Sequence, residues 1–313
     1  MATTKPDIAA LVDQMPETDK EIQAKQKPEP DKPDQPEKPN RTRRPDNYGE
    51  ASKFTGPDPE TANRIFSEIV AGGRENILEL IALVRDPGAA DFKNYKAAYV
   101  LHGLALHVGG VGKERERRLF TETLAAQLGS DKHSKAVKAL LIRELQVAGG
   151  KEVVQGLGRH VLDEDLGEYA IQALLAIREG AAAQFRNSLA TAPAKHRAAL
   201  IQALGVIRDH ESAAALKKAL GEEDREVRLA AAWALANLGD ATSGGALLKS
   251  ADAAEGYERI QMTKTCLLLA ERLLAAGRKP EATRIYRHLR DTRSEPSEQY
   301  VRELAERALE AAP

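Results

Sequence analysis

The sequence Asp-Arg-Glu-Val-Arg-Leu-Ala-Ala-Ala-Trp-Ala-Leu-Ala-Asn-Leu-Gly-Asp occupies residues 224–240 and decides the fold. Asp224 suits the N-cap of a helix, where its carboxylate accepts hydrogen bonds from free backbone amides, and Gly239 is typical of a helix end. Apolar residues recur between them at helical spacing: Val227, Ala230, Ala231, Ala234, Leu235 and Leu238. The stretch predicts a helix with a narrow, alanine-lined face. Such a face is buried only when a neighbouring helix comes close, so we expect a repeat.

The same pattern returns upstream of this helix. Residues 203–209 align with residues 234–240, residues 173–179 align with both, and residues 144–150 form a poorer fourth copy. Four anchor leucines are spaced by 29, 30 and 31 residues: Leu145, Leu174, Leu204 and Leu235. A period of this length fits one helical hairpin, so the sequence predicts a stack of hairpins.

Nine residues of the repeat around Trp233 resemble a known consensus: Asp224, Val227, Arg228, Ala230, Ala231, Ala234, Leu235, Leu238 and Gly239. They are similar to the short HEAT-like repeats, the subclass first described in phycobilisome lyases. The resemblance implies an all-α fold in which antiparallel helical hairpins stack into a right-handed α-solenoid. It also implies that the inner helices line the binding surface. It implies no particular activity, because one fold serves many functions.

The composition narrows the class of protein. Aromatic residues make up 4% of the 313 residues, so alanine and leucine must supply most of the packing. The formal net charge of −1 argues against a protein that binds nucleic acid or an anionic membrane through its overall charge. The single cysteine, Cys266, excludes a disulfide framework within one chain and a multi-cysteine zinc site.

The sequence holds no apolar run long enough for a signal peptide or a membrane span. If the chain is complete, we expect a cytoplasmic protein. A mature exported protein whose leader was replaced by a start codon would also show no signal peptide in its sequence. The sequence leaves both interpretations open.

Three regions differ in composition. Residues 1–58 are rich in Pro, Lys, Glu and Asp and predict a disordered tail or tether, with a basic cluster at Arg41, Arg43 and Arg44. Residues 59–252 are predicted to form the HEAT-like solenoid. Residues 253–313 predict a hairpin similar to a tetratricopeptide repeat followed by a capping helix, both continuous with the solenoid.

Helical periodicity also predicts individual elements. Helices are expected over residues 94–108, 114–128 and 151–162, among others. Near the N-terminus one helical face is marked by four apolar residues: Ile8, Leu11, Val12 and Met15. For these residues we favour a transient helix in a disordered tail over a helix docked in a groove.

No catalytic or metal-binding constellation stands out. His210-Glu211 is the only His-Glu pair, whereas a di-iron site of HEAT-repeat hydroxylases needs several. Trp233 lies within the alanine-rich helix, which favours a role in core or inter-repeat packing. Cys266 has apolar neighbours and is expected to be a buried small hydrophobe rather than a nucleophile. We therefore predict no cofactor, no metal and no enzymatic activity.

The second helices of the hairpins carry a basic pattern. Alignment on four apolar residues spaced by 28, 31 and 31 positions places Arg159, Asn187, Lys218 and Lys249 at one equivalent position, with Arg186 and Lys217 one residue earlier. If these helices line the inner curve, as the resemblance implies, they form a basic ladder. We hypothesise that this ladder binds an acidic or extended polar partner. The alternative is a solvated face, where Lys and Arg are common.

Three functions follow, in order of preference. The first is a non-catalytic protein–protein interaction scaffold that binds a protein or peptide on the concave face of the solenoid. The second is an enzyme or enzyme subunit similar to bilin lyases. The third is nucleic-acid binding through the basic ladder, which the balanced charge argues against. The partner and the oligomeric state do not follow from the sequence.

Overall fold

The computed structural model describes residues 6–15, 59–86 and 94–311, and every regular element in these ranges is helical. The predicted tether at residues 16–58 lies outside the described residues, as does its basic cluster of Arg41, Arg43 and Arg44. The chain divides into two units, Met1–Ala148 and Gly149–Pro313. This division falls at neither of the two boundaries that the composition suggests.

Six α-helices form the described part of the N-terminal unit: α1 (Ile8–Asp13), α2 (Pro59–Ala71), α3 (Gly73–Leu83), α4 (Asn94–Val108), α5 (Glu114–Leu128) and α6 (Lys135–Ala148). Helices α2 and α3 make one hairpin, and α4 and α5 make the next. Helix α4 lies between α2 and α6, while α3 packs against α5, so the hairpins stack in two layers. The bounds of α4 and α5 are those predicted from the sequence.

Helix α1 differs from the expectation of a transient helix. It packs against α3 and α4, and its four apolar side chains are buried. Asp7 caps its first turn by accepting a hydrogen bond from the Ala10 amide at 3.1 Å. Burial of the apolar face supplies the stability that six residues lack on their own.

Ten α-helices form the described part of the C-terminal unit: α7 (Val154–Gly158), α8 (Gly167–Ile177), α9 (Ala181–Thr191), α10 (Ala194–Ile207), α11 (Ala213–Ala219), α12 (Arg225–Leu238), α13 (Gly244–Ala253), α14 (Gly256–Ala275), α15 (Lys279–Thr292) and α16 (Gln299–Ala311). Single 3-10 turns precede four of them: Lys151–Val153, His210–Ser212, Ala241–Ser243 and Pro296–Glu298. The helix predicted over residues 151–162 is wrong in extent, because the α-helix ends at Gly158. Gly156 and Gly158 lie two residues apart, and glycine favours helix ends over helix interiors.

First and second helices alternate along the C-terminal unit. The first helices α8, α10, α12 and α14 lie side by side in that order. The second helices α9, α11 and α13 each pack against the first helix that follows them in the chain. The predicted all-α solenoid of stacked hairpins is confirmed within this unit.

Helix α12 lies inside the stack, with a first helix on either side of it. The Asp224 carboxylate accepts hydrogen bonds from the Glu226 and Val227 amides at 2.8 and 3.3 Å, and Gly239 ends the helix at φ 69°. All the predicted apolar positions are buried. Ala232 and Ala236 are buried too, since α12 lies between α10 and α14, so its buried surface is wider than the predicted narrow face.

The last hairpin, α14 and α15, continues the stack because α14 packs against both α12 and α13. Ala270 on α14 and Ala282 on α15 have no exposed surface. Helix α16 packs along α15 with Val301 and Ala305 buried.

Candidate partner-binding surface

The structure places the predicted basic ladder on or beside the second helices of the C-terminal unit. Arg186 lies on α9, Lys217 and Lys218 lie on α11, and Lys249 lies on α13. Arg159 is the residue just beyond the end of α7, since that helix is shorter than predicted. The five cations fall into two groups that differ in their partners.

Arg186 and Lys217 form ion pairs with the next hairpin. Arg186 donates from Nη1 to Asp209 Oδ1, and its Nη2 lies 2.9 Å from Glu211 Oε2. Lys217 Nζ lies 3.0 Å from Asp240 Oδ2. Each pair joins a second helix to the loop after the following first helix, 23 residues further along the chain. These two cations therefore link successive hairpins.

Asp240 sits in a dense set of donors. Burial acts to raise the pKa of its carboxyl group, but hydrogen bonds from Thr242, Ser243 and Lys217 outweigh burial and hold the pKa well below its usual range. Thr242 Oγ1 and Ser243 Oγ donate to the carboxylate at 2.7 and 2.8 Å. The charged carboxylate is therefore a fixed part of the loop that begins α13.

The other three cations are exposed. Arg159, Lys218 and Lys249 form no ion pair or hydrogen bond with their side chains in the described ranges. Their charges are therefore available to solvent or to a partner. The prediction that the basic ladder binds a partner stays a prediction.

A crevice of about 490 Å³ opens between the hairpins that contain α11 and α13. Lys217 and Lys249 lie on its wall, and Leu220 and Met262, both buried, contribute apolar surface to its lining. The crevice thus combines an apolar lining with one cation, Lys249, that forms no ion pair within the described residues.

The Arg228 and Glu258 pair also lines the crevice. Its two parallel contacts measure 2.6 Å from Nε to Oε1 and 2.7 Å from Nη2 to Oε2. Arg228 Nη1 also donates to the backbone oxygens of Glu222 and Glu223. A guanidinium with this many partners is held in place, so it shapes the crevice.

Arg197 and Arg259 repeat this arrangement at intervals of 31 residues. Arg197 pairs with Glu222 and donates to the Leu189 carbonyl, and Arg259 pairs with Glu298 and donates to the Ala251 carbonyl. Each arginine thus binds an acidic side chain and a carbonyl oxygen near the end of the preceding second helix. The sequence reasoning missed Arg197 and Arg259, although their spacing from Arg228 equals the repeat length.

Trp233 and Cys266 have the structural roles expected of them. The Trp233 ring lies against Gly205 of the neighbouring helix, although 37% of the tryptophan remains exposed. Cys266 is buried, and burial raises the pKa of its thiol to about 12. A thiol with that pKa stays protonated near neutral pH, as expected for a packing residue.

Residues 6–15, 59–86 and 94–311 contain no group of three or more His, Cys, Asp or Glu side chains placed to hold a metal ion. Glu211, from the only His-Glu pair in the sequence, pairs with Arg186. Among the helices in these same ranges, none has the length and apolar character needed to cross a bilayer.

Part of the chain is similar to a known repeat family. Residues 182–264, from α9 into α14, match the family model described as HEAT repeats. No curated protein matches the sequence. A similar solved structure is the complex of CpcE and CpcF of phycocyanin lyase from Nostoc sp. PCC7120, which is 14% identical. The similarity covers 83% of this chain and 91% of that chain, with a TM-score of 0.31.

Proposed function

Because residues 182–264 are HEAT-like repeats, we propose that this protein is a non-catalytic scaffold that holds a protein partner on the second helices of its C-terminal unit. The observation that carries the proposal is the crevice between the α11 and α13 hairpins. The partner segment is acidic and contains apolar side chains.

The exposed cations give this surface its selectivity. Lys218 and Lys249 lie on neighbouring second helices and are free of side-chain partners in the described part of the chain. Exposed ion pairs contribute little affinity, typically about 0–1 kcal/mol each, but they speed association and orient the partner. We therefore assign steering to the lysines and most of the affinity to the apolar lining.

The paired cations have a different role. Arg186 and Lys217 are engaged by Asp209 and Asp240 of the next hairpin. They fix the spacing of successive hairpins, and Lys217, which also lines the crevice, helps to set its width. Their replacement is expected to lower both stability and binding, whereas replacement of Lys218 or Lys249 is expected to affect binding alone.

Charge reversal in the full-length chain tests the proposal. The variant Lys218→Glu/Lys249→Glu and the control Lys264→Glu, which changes an exposed lysine on α14, are used to capture partners from native lysate. We expect the control to recover the same protein as the wild type, and the double variant to recover about tenfold less, since opposite charge at the surface becomes like charge. Equal recovery by both variants would remove the basic surface from the proposal.

A further inference from the structure

Helix α1 is seated on the N-terminal unit by one complete apolar face. Ile8 and Met15 are 3% exposed, and Leu11 and Val12 are 6% exposed. These residues have the i, i+3, i+4, i+7 spacing with which an amphipathic helix fills a groove. The receiving surface is formed by α3 and α4, against which α1 packs.

Two cations of the N-terminal unit bind the end of this helix. Lys96 Nζ on α4 donates to the Asp13 carbonyl at 3.3 Å, and Arg64 Nη2 on α2 donates to Gln14 Oε1 at 2.7 Å. The last carbonyl groups of a helix have no intrahelical partner and carry partial negative charge. Lys96, which binds such a carbonyl group, therefore favours one direction for a helix in the groove, and Arg64 adds a contact to a side chain at the same end.

The seated helix is attached to its groove by a long stretch of sequence. Residues 16–58 separate Met15 from the first residue of α2, and a fully extended chain of that length reaches up to about 150 Å. A helix of six residues is not stable alone in water, so α1 is ordered by its docking. Helix α1 therefore resembles a linked ligand, because it is joined to the groove by a long stretch of chain and is ordered only when it is docked.

We propose that the groove between α3 and α4 is a second protein-binding site, which takes an amphipathic helix from a partner, and that α1 is its built-in competitor. A covalent link gives a ligand a local concentration on the order of 1 mM, so α1 occupies the groove unless the partner binds more tightly. The partner binds only those molecules in which α1 has left the groove. Its apparent affinity is therefore its intrinsic affinity multiplied by the fraction of molecules with an empty groove. This site lies in the N-terminal unit and is independent of the crevice around Lys249.

The competition is measured with the full-length chain and a fluorescent peptide of residues 6–15, which stands in for the partner helix. The variant Leu11→Asp/Val12→Asp places charge on the buried face of α1 and empties the groove. The control Ala9→Glu places charge on the exposed face of the same helix. We expect the peptide to bind the released variant about tenfold more tightly than the wild type or the control, because the competitor is gone. Equal binding to all three would overturn the proposal.

Two further measurements guard against an indirect effect of the paired substitution. Lys96→Met in the released variant removes the donor to the helix end and is expected to weaken peptide binding about fivefold. In an otherwise wild-type chain, a spin label at Ala9→Cys reports the mobility of α1, and the native Cys266 is too buried to compete for the label. Added unlabelled peptide is expected to raise the label mobility. If mobility is unchanged at saturating peptide, α1 does not compete for this groove.

Discussion

Gly205 of α10 lies against Ala234 of α12 so closely that a Cβ atom on the glycine would stand 2.8 Å from both the Cα and the Cβ of Ala234. It would also stand 2.9 Å from Cζ3 of Trp233. The alanine-lined face of α12 is thus matched by a missing side chain on its neighbour. The contact has the close helix approach that the sequence predicts for a face of small residues.

Gly205→Ala is expected to destabilise the C-terminal unit. The new methyl group meets backbone as well as side chain, so the helices must separate, at a cost of about 1–3 kcal/mol. Unfolding in urea, followed by the fluorescence of the single tryptophan, measures the change. The control is Gly245→Ala on α13, where a Cβ meets nothing within 4 Å. There alanine is expected to stabilise by about 0.5–1 kcal/mol. Destabilisation of the same size in both variants would contradict the packing argument.

Arg208→Gly is expected to stabilise the protein. Arg208 ends α10 in the left-handed region, at φ 56° and ψ 52°, where a side chain is strained and glycine is not. Gly239 fills the equivalent position after α12, which shows the residue that this turn prefers. The gain is expected to be about 1 kcal/mol, measured as the free energy of unfolding. Arg208→Ala keeps the Cβ and should bring no such gain. If alanine stabilises as much as glycine, strain is not the cause.

Asp240→Asn is expected to lower stability in a pH-dependent way. The pKa of Asp240 is lower in the folded chain than its ordinary value of 3.8, so the carboxylate contributes stability that is fully present above pH 3.8. That contribution is lost as the pH falls from 3.8 through the folded value. At pH 7 the loss of one charged acceptor should cost about 1–3 kcal/mol. Urea unfolding at several pH values should show the two proteins converging in acid.

Lys217→Met offers the companion measurement for Asp240. It removes one of the donors that lower the pKa of Asp240 and leaves Thr242 and Ser243 in place. In this variant the loss of stability as the pH falls below 3.8 should persist, but it should be smaller than in the wild type. A difference between Asp240→Asn and the wild type that stays constant between pH 7 and pH 3 would show that the Asp240 pKa is not lowered by folding.

The ion pair between Arg228 and Glu258 is expected to be energetically coupled. Its two parallel contacts are partly buried, with side-chain exposures of 24% and 17%. A double-mutant cycle with alanine at both positions should give a coupling energy of about 1–3 kcal/mol. The control pair is Arg225 and Glu226, both more than half exposed, for which the coupling should be close to zero. Similar coupling in both cycles would mean that burial and geometry do not matter here.

The sequence predicted well those features that depend on local periodicity. The bounds of α4 and α5 follow from apolar spacing, and the capping of α12 follows from Asp224 and Gly239. The end of α10 could not be read in the same way. Its left-handed residue is Arg208 rather than glycine, and the strain there is tolerated because the surrounding hairpin contacts hold the turn.

The candidate site depends on contacts between hairpins, which a one-dimensional pattern does not contain. The sequence placed Arg186 and Lys217 in the basic ladder with Arg159, Lys218 and Lys249, since all five are cations at or next to one repeat position. Their partners, Asp209 and Asp240, lie in loops of the following hairpin. The shared separation of 23 residues was the only available signal. The docking of α1, against the transient helix that we favoured, was likewise not predictable, because an apolar face indicates a helix but not the surface it packs against.

The most direct test of partner binding is photocrosslinking from a single position in the crevice. A photoreactive residue replaces Lys249 in the full-length chain, and the control carries it at Lys264 on α14. After irradiation in native lysate, we expect one protein adduct from position 249, none from position 264, and a lower yield of the adduct when Lys218→Glu is added. Equal adducts from both positions would contradict partner binding at this surface.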